Sequence, residues 1–312
     1  GSIDNDAAGT DMTIGADTAL HRITEAIDAI GSTASSHQRA FIVEVMGRHC
    51  GYLALMAAVA TGADALFIPE CPPAGEDWES ELLALLTAGR AAGRRHSIVV
   101  LAEGAVDRHG APITADRLRQ VLGTGLGEAV RVTVLGHMQR GGSPSAFDRN
   151  LGSVMGYAAI DTLLSGAADS ESLVIGMRGN RVVRIPLHAC VADSRHINEA
   201  LAARDFDRAL ELRGTSFNDA LRTFKTLQKA LPHPPPEGQR RLRLAILHAG
   251  APAPGMNAAV RAAARLTTDD GHIALGVRRG FHGLAAGDLS EMDWMSVNGW
   301  APMGGAELGT SR

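Results

Sequence analysis

Three groups of side chains in this sequence have the types and spacing to do chemistry. Near the start, Asp4 and Asp6 stand at i and i+2 in Gly1-Ser-Ile-Asp-Asn-Asp, ahead of the Gly/Thr-rich turn Gly9-Thr-Asp-Met-Thr-Ile-Gly15. Such a carboxylate pair suits a general base beside an acid linked to a cation. Farther on, the apolar run Phe41-Ile-Val-Glu-Val45 delivers Met46, Gly47, Arg48 and His49. The third group begins at Arg131, passes through Val132, Val134 and Leu135, and ends in Gly136-His-Met-Gln-Arg140 before Gly141-Gly-Ser-Pro144. Arg131, His137 and Arg140 put three cations within ten residues of an apolar segment, which asks for an anion, a phosphate being the best fit. The same residues also read as a solvated basic turn.

These groups need elements to hold them. Apolar spacing at Leu20, Ile23, Ile27 and Ile30 predicts a helix over about 16–30, whose start favours an anion through its dipole and free N–H groups. Strands are predicted over 41–45, 66–68 and 97–102, the last ending in Glu103-Gly104, and a buried strand over about 132–135. Helices are predicted over 52–60, 78–91, 115–122 and 146–164. Strands alternating with helices in this way predict βαβ units and a parallel sheet. Ligands of such sheets sit at the C-terminal edge, and Asp4, Arg48, Glu103 and His137 all fall at or just after predicted strand ends.

A hairpin is expected over 173–177 and 182–185, then helices over 197–212 and 218–231, and a hinge at Pro232-His-Pro-Pro-Pro236. The chain then starts afresh. A strand over 242–247 enters Gly250-Ala-Pro-Ala-Pro-Gly255 and a helix over 258–266, a weak phosphate-binding pattern. Arg261 and Arg265, one turn apart, suit either an anion site or the flank of a sheet.

With 312 residues and 45% hydrophobic content the chain can bury a large core, and its length suggests about two domains. A net charge of −4 favours neither nucleic acid nor a membrane surface as partner. Cys50, Cys71 and Cys190 are scattered, in keeping with a reducing compartment, and no apolar run approaches membrane-spanning length; the expected location is the cytoplasm.

Taken together, the motifs resemble ATP-dependent 6-phosphofructokinases of the eukaryotic, two-half type. The resemblance is carried by Gly-Ser-Ile-Asp-Asn-Asp at 1–6, Ser-His-Gln-Arg at 36–39, Glu-Val-Met-Gly-Arg-His-Cys-Gly at 44–51 and Gly-His-Met-Gln-Arg-Gly-Gly-Ser-Pro-Ser-Ala-Phe-Asp-Arg at 136–149. It implies an α/β fold of three-layer sheets with mostly parallel strands and helices on both faces. Residues 1–215 would be the later part of the N-terminal catalytic half, 216–241 a helical and Pro-rich linker, and 242–312 the start of the C-terminal regulatory half.

The implied reaction moves a phosphoryl group from ATP, with Mg2+, to the 1-hydroxyl of fructose 6-phosphate. By resemblance, Asp4 is the base and Arg48 neutralises the moving phosphoryl group, so these two are the catalytic residues. Ser2, Ile3, Met46, Gly47 and Glu103 would contact the sugar, and Asp6 would act indirectly on the metal. His137 and Arg140 would grip the 6-phosphate with Arg39 and Arg131, which in this family reach across a subunit or half interface. Arg312 would bind an allosteric sugar bisphosphate, fructose 2,6-bisphosphate. Glu70, Arg94 and Arg95 fall where bacterial relatives bind nucleotide effectors. The full-length protein would be a homo-oligomer, a tetramer.

In the second half, Ala251 and Pro252 stand where a catalytic glycine loop has glycine and aspartate, so this half should not turn over ATP. Gly1 stands where the pyrophosphate-dependent branch carries lysine, which favours ATP. A pyrophosphate-dependent enzyme and a non-catalytic sugar phosphate-binding remnant are the alternatives. The sequence lacks the catalytic half's first glycine loop, and the expectation is that these residues alone do not turn over.

Overall fold

A computed structural model of the chain describes residues 2–37, 39–166 and 171–311, without the side chains of 35–37. A 3-10 turn, Ser2–Asp4, leads through a loop to helix α1 (Ala16–His37), strand β1 (Ala40–Val45) and helix α2 (Tyr52–Thr61). Next come β2 (Ala65–Phe67), α3 (Trp78–Ala91), β3 (Ser97–Ala102), α4 (Ala115–Leu126) and β4 (Arg131–Val134). A second 3-10 turn (Gly136–Arg140) precedes α5 (Ala146–Leu164), and a hairpin of β5 (Leu173–Arg178) and β6 (Arg181–Pro186) follows.

The four first strands form one sheet in the order β2-β3-β1-β4, every neighbouring pair parallel. Alternation along the strands builds its two faces. Val43 and Val45 of β1 and Ile98, Val100 and Ala102 of β3 pack against Ile23 and Ile27 of α1 and Leu53 of α2. Ala40, Ile42, Val99 and Leu101 point the other way, onto Leu82 and Leu86 of α3 and Leu118 and Leu122 of α4. The result is helices on both faces of a parallel sheet, as expected from the alternation of strands and helices. Asp77 and Thr114 cap α3 and α4 by accepting the N–H groups of Ser80 and Arg117, at 3.1 and 3.2 Å.

Two expectations need correction. The segment around Val132 is not a buried strand: among the described residues β4 pairs with β1 alone, and Val134 is 59% exposed. An apolar run of four residues does not reveal whether a second neighbour covers it. Helix α1 continues seven residues past Ile30, because Gly31 packs with its Cα side toward Ile98 and does not break the helix. Asp4 lies in the first 3-10 turn, ahead of a helix.

After the hairpin come three helices where two were expected: α6 (Leu187–Ala202), α7 (Phe206–Arg213) and α8 (Thr215–Leu227). Gly214, at φ +86°, makes the sharp corner between the last two. Phe217, Leu221 and Phe224 of α8 lie in the core beside α2. Beyond the proline-rich segment, β7 (Arg243–Ile246), β8 (His248–Ala249), α9 (Met256–Asp269), β9 (Ile273–Val277), α10 (Gly280–Ala286), β10 (Leu289–Met292) and β11 (Thr310–Ser311) form a second unit. Its sheet has the order β10-β9-β7, with β7 parallel and β10 antiparallel to β9.

The two units meet at the end of α8. There the Leu227, Gln228 and Lys229 carbonyls, left without helical partners, accept from Arg265, Arg94, and Arg94 together with Trp294. Arg94 also pairs with Asp64 at 2.7 Å, and Arg265 lies over the Trp294 ring at 4.8 Å. Among the described residues no helix is long and apolar enough to cross a membrane.

Candidate functional site

The C-terminal ends of β1, β3 and β4 share one edge of the parallel sheet. From β1 the chain enters a loop, residues 46–51, that no regular element supports. Gly47 has φ +154° and a Cβ there would meet the Cys50 carbonyl oxygen at 2.2 Å; Arg48 follows at φ +53°. A non-glycine residue in that region is held by its surroundings. Glu103, just past β3, supplies one restraint: its Oε1 accepts the N–H groups of Gly47 and Arg48, at 3.2 and 2.5 Å. Gly104 allows the approach, since a Cβ on it would lie 2.0 Å from the Arg48 carbonyl oxygen. Glu103 thus acts on the backbone that presents Arg48, a role distinct from the sugar contact implied by the resemblance.

Beyond β4, Gln139 is buried and joins two parts of the site. Its Oε1 accepts the Met46 N–H at 3.1 Å, and its Nε2 donates to the Gly136 carbonyl at 3.0 Å. The short turn is thereby fixed to the β1 loop, leaving His137 and Arg140 exposed. Arg140 reaches toward the start of the chain, where its Nη2 lies 3.7 Å from Oδ1 of Asp4, a carboxylate only 1% exposed.

Asn5 organises the Asp4 turn. At φ +52° it accepts the Thr13 N–H at 2.8 Å and donates to the Asp11 carbonyl at 3.1 Å, closing the loop between Asp4 and α1. Thr13 donates its hydroxyl to the Ser2 carbonyl. Ile3 is buried in the core and Ser2 exposed. Asp6 faces a different space, a cavity of about 440 Å³ lined also by Asn5, Asp11, Arg178 and Arg213. Among the described residues no three His, Cys, Asp or Glu side chains cluster as metal ligands. Burial beside Glu70 pushes the Cys50 thiol up to about 12, so it is neutral and no nucleophile.

The structure therefore gathers Asp4, Met46, Gly47, Arg48, Glu103, His137 and Arg140 at one edge. Arg39 and Arg131 are elsewhere. Register pairs Arg131 with Phe41, at the opening of both strands, and the Arg39 carbonyl accepts from Ser97 at the start of β3. The strand length, ~3.3 Å per residue, separates these two cations from His137 and Arg140. Gly1 and Arg312 lie outside the described residues.

The start of α1 is not open to a ligand anion, contrary to expectation. Asp148 of α5 already occupies it, accepting the N–H groups of Gly15 and Thr18, both at 2.8 Å. Glu70 is also misplaced by the expected grouping: it is fully buried against Arg213, and not with Arg94 and Arg95. Those two, one buried and one exposed, line a cavity of about 480 Å³ between the units with Asp64, His96 and Arg261. Arg261 and Arg265 are buried rather than presented on a surface, and burial lowers both guanidinium groups, to about 10 and about 9.

Four residues that the sequence reading passed over organise this site: Asn5, Gln139, Asp148 and Arg213. Asp148 was signalled by its place three residues after Ser145, whose hydroxyl accepts the Asp148 N–H at 3.2 Å as a helix cap. No local signal marks Arg213.

A parallel sheet with cations and a buried carboxylate at its C-terminal edge defines a class of α/β proteins built to handle anionic ligands. The sequence matches the family described as PFK, phosphofructokinase, over residues 1–163 and 243–312. It is 50% identical over its whole length to the muscle-type ATP-dependent 6-phosphofructokinases of Macaca fascicularis and Homo sapiens, covering 40% of each. The structure superposes on all of its own length with phosphofructokinase from Saccharomyces cerevisiae (TM-score 0.94, 42% identity, 41% of that chain). With the T-state enzyme of Pichia pastoris the TM-score is 0.92, at 44% identity over 33% of that chain. The chain belongs to the phosphofructokinase family. It spans about 40% of the length of the curated relatives it matches.

Proposed function

We propose that the complete protein carrying this chain transfers the γ-phosphoryl group of ATP to the 1-hydroxyl of fructose 6-phosphate, giving fructose 1,6-bisphosphate and ADP. The observation that carries this reading is the buried Asp4 carboxylate, 3.7 Å from the Arg140 guanidinium and at the same edge as the Arg48 loop. A base and separate cations at one edge can hold the two ends of a sugar phosphate.

Asp4 takes the proton of the 1-hydroxyl as that oxygen forms its bond to the γ-phosphorus and the bond to the ADP oxygen breaks. Arg48 neutralises the equatorial oxygens of the moving group, where charge stabilisation is worth most. His137 and Arg140 hold the 6-phosphate by charge-assisted hydrogen bonds. Ser2, Ile3 and Met46 flank the sugar, and Glu103 keeps Gly47 and Arg48 in place for it. Magnesium would be held chiefly by the nucleotide's own phosphates, and Asp6, which faces the neighbouring cavity, would act on it only indirectly.

Arg39 and Arg131, grouped at the far end of the strands, serve the sugar phosphate site of a neighbouring half or copy in a homotetramer. The second unit binds without turning over. Its turn from Gly250 (φ +83°) to Gly255 (φ +95°) opens α9 with Ala251 and Pro252 between. By the resemblance, Arg312, outside the described residues, binds the regulatory sugar bisphosphate. The three cysteines are all free, in keeping with a cytoplasmic enzyme.

A coupled assay of the complete protein tests the reading: ADP release should require both ATP and fructose 6-phosphate. Release with ATP and no sugar dependence, or none with either, would refute it.

A further inference from the structure

The loop that presents Arg48 has a backbone with many polar groups and no ladder to satisfy them. Glu103 takes the N–H groups of Gly47 and Arg48, and Cys50 donates to the Gly47 carbonyl at 2.8 Å. The Gly51 carbonyl accepts from Leu55 at 2.9 Å in the first turn of α2. Two more, the Gly51 N–H and the His49 carbonyl, are met by one buried ion pair.

That pair is Glu70 and Arg213. The Glu70 carboxylate, 0% exposed, accepts the Gly51 N–H at 3.0 and 2.9 Å and the Arg213 Nε at 2.8 Å. Arg213, whose side chain is 7% exposed, donates from Nη2 to the His49 carbonyl at 2.8 Å. The fit leaves no slack: a Cβ on Gly51 would fall 2.5 Å from Ile68 and 2.6 Å from Glu70. One partner comes from just past β2, the other from the last turn of α7, 143 positions away.

Burying two charges costs several kcal/mol per ion, and a well-packed apolar pair of the same size often does as well for stability. Burial pushes the Glu70 carboxyl up, opposed by Arg213 and the Gly51 N–H. What an apolar pair cannot do is satisfy Gly51 and His49, the residues on either side of Cys50 in the loop that holds Arg48 at positive φ. Glu103 fixes the loop's entry and this pair fixes its exit.

We infer that Glu70 and Arg213 are positioning residues for Arg48: a latch, closed by α7, that sets the guanidinium's place in phosphoryl transfer without touching substrate. The inference rests on the reading of Arg48 given above. A displacement of about 1 Å in a group aimed at a transition state can cost on the order of a hundredfold in rate.

The test measures kcat and KM of the complete enzyme for Arg213→Met, Glu70→Gln, Arg48→Met and Arg48→Met/Arg213→Met, each with its Tm. The latch predicts that Arg213→Met lowers kcat by roughly tenfold to a hundredfold and leaves KM for fructose 6-phosphate within about threefold. It also predicts that Arg48→Met/Arg213→Met is no slower than Arg48→Met alone, since there is nothing left to position. A purely structural pair would lower Tm and leave kcat per folded molecule unchanged. If Arg213→Met does not fold, Glu70→Gln is read for the same loss, because the amide oxygen can still accept from Gly51. A kcat within twofold of wild type in the variant that folds, while Arg48→Met is slow, overturns the latch; a normal rate in Arg48→Met overturns the reading of Arg48 instead.

Discussion

Two groups of cations in this molecule come from the same side-chain chemistry and meet opposite fates. At the C-terminal edge of the first sheet, Arg48, His137 and Arg140 are exposed, and Arg140 lies 3.7 Å from Asp4. At the junction of the two units, Arg94, Arg261 and Arg265 are buried; Arg94 and Arg265 spend their donors on the Asp64 carboxylate, the end of α8 and Asn298. The first group keeps its charge at the surface. The second is engaged in holding two units together, and its charge is a cost that those hydrogen bonds offset.

Function should therefore fail without unfolding in one group, and folding should weaken without chemistry changing in the other. The largest effect belongs to Asp4. In the complete enzyme Asp4→Asn keeps the shape, and with it sugar phosphate binding, but removes the base, so kcat should fall by ~10²–10⁴-fold with Tm nearly constant. Arg140→Met comes next. Losing a charge-assisted pair to the 6-phosphate should raise KM for fructose 6-phosphate by roughly ten- to a hundredfold, with a smaller change in kcat. Steady-state kinetics of both variants, beside thermal melts, decides; a KM unmoved by Arg140→Met would remove Arg140 from the ligand-facing group.

Arg265→Met probes the other side. Removing it leaves the Leu227 carbonyl without its donor and Trp294 without its stacked cation, while relieving the desolvation of a guanidinium that is 1% exposed. The balance is a loss of about 1–3 kcal/mol, readable by denaturant unfolding, with KM for fructose 6-phosphate unchanged. A variant of wild-type stability whose KM rose would show that the buried cluster belongs with the ligand-facing one.

How much of this was legible in the sequence follows from the range of each interaction. Strands and helices of the first sheet declared themselves through local period, and β1, α3 and β3 fall where expected to within a residue. Arg48, His137 and Arg140 were legible because each follows an apolar strand within a few positions. Arg131 sits in that same motif, yet register with Phe41 puts it at the other end of β4, because a strand carries its two ends ~10 Å apart whatever its residues' proximity in sequence. The distant contacts of the acids that fill α1's N-terminus and brace the Arg48 loop were not legible. Asp148 meets Gly15 across 133 positions and Glu70 meets Arg213 across 143, and nothing in a local pattern reports a partner that distant. Nor could the spacing of Arg261 and Arg265 distinguish buried from exposed, since one helix face serves either.

His96 gives the smallest and most selective test of the junction. It lines the cavity between the units with Arg94 and Arg261, its Nδ1 is buried without a hydrogen-bond partner, and burial holds its pKa below the usual 6.5, opposed only in part by Asp64. The unfolded chain then binds a proton near pH 6.5 that the folded chain resists. Stability from this group is complete above pH 6.5 and is lost as the pH falls from there toward the depressed folded value. Below that range, protonation would add another cation beside Arg94, so the junction should loosen in acid while the sheet edge, built on strands and not on this cluster, does not. Thermal melts of wild type and His96→Gln at pH 8 and pH 5.5 isolate the effect: the wild type should lose more Tm between the two than the variant, by less than Arg265→Met costs. Equal losses would mean that His96 is solvated in both states, and that the junction's buried character stops at its arginines.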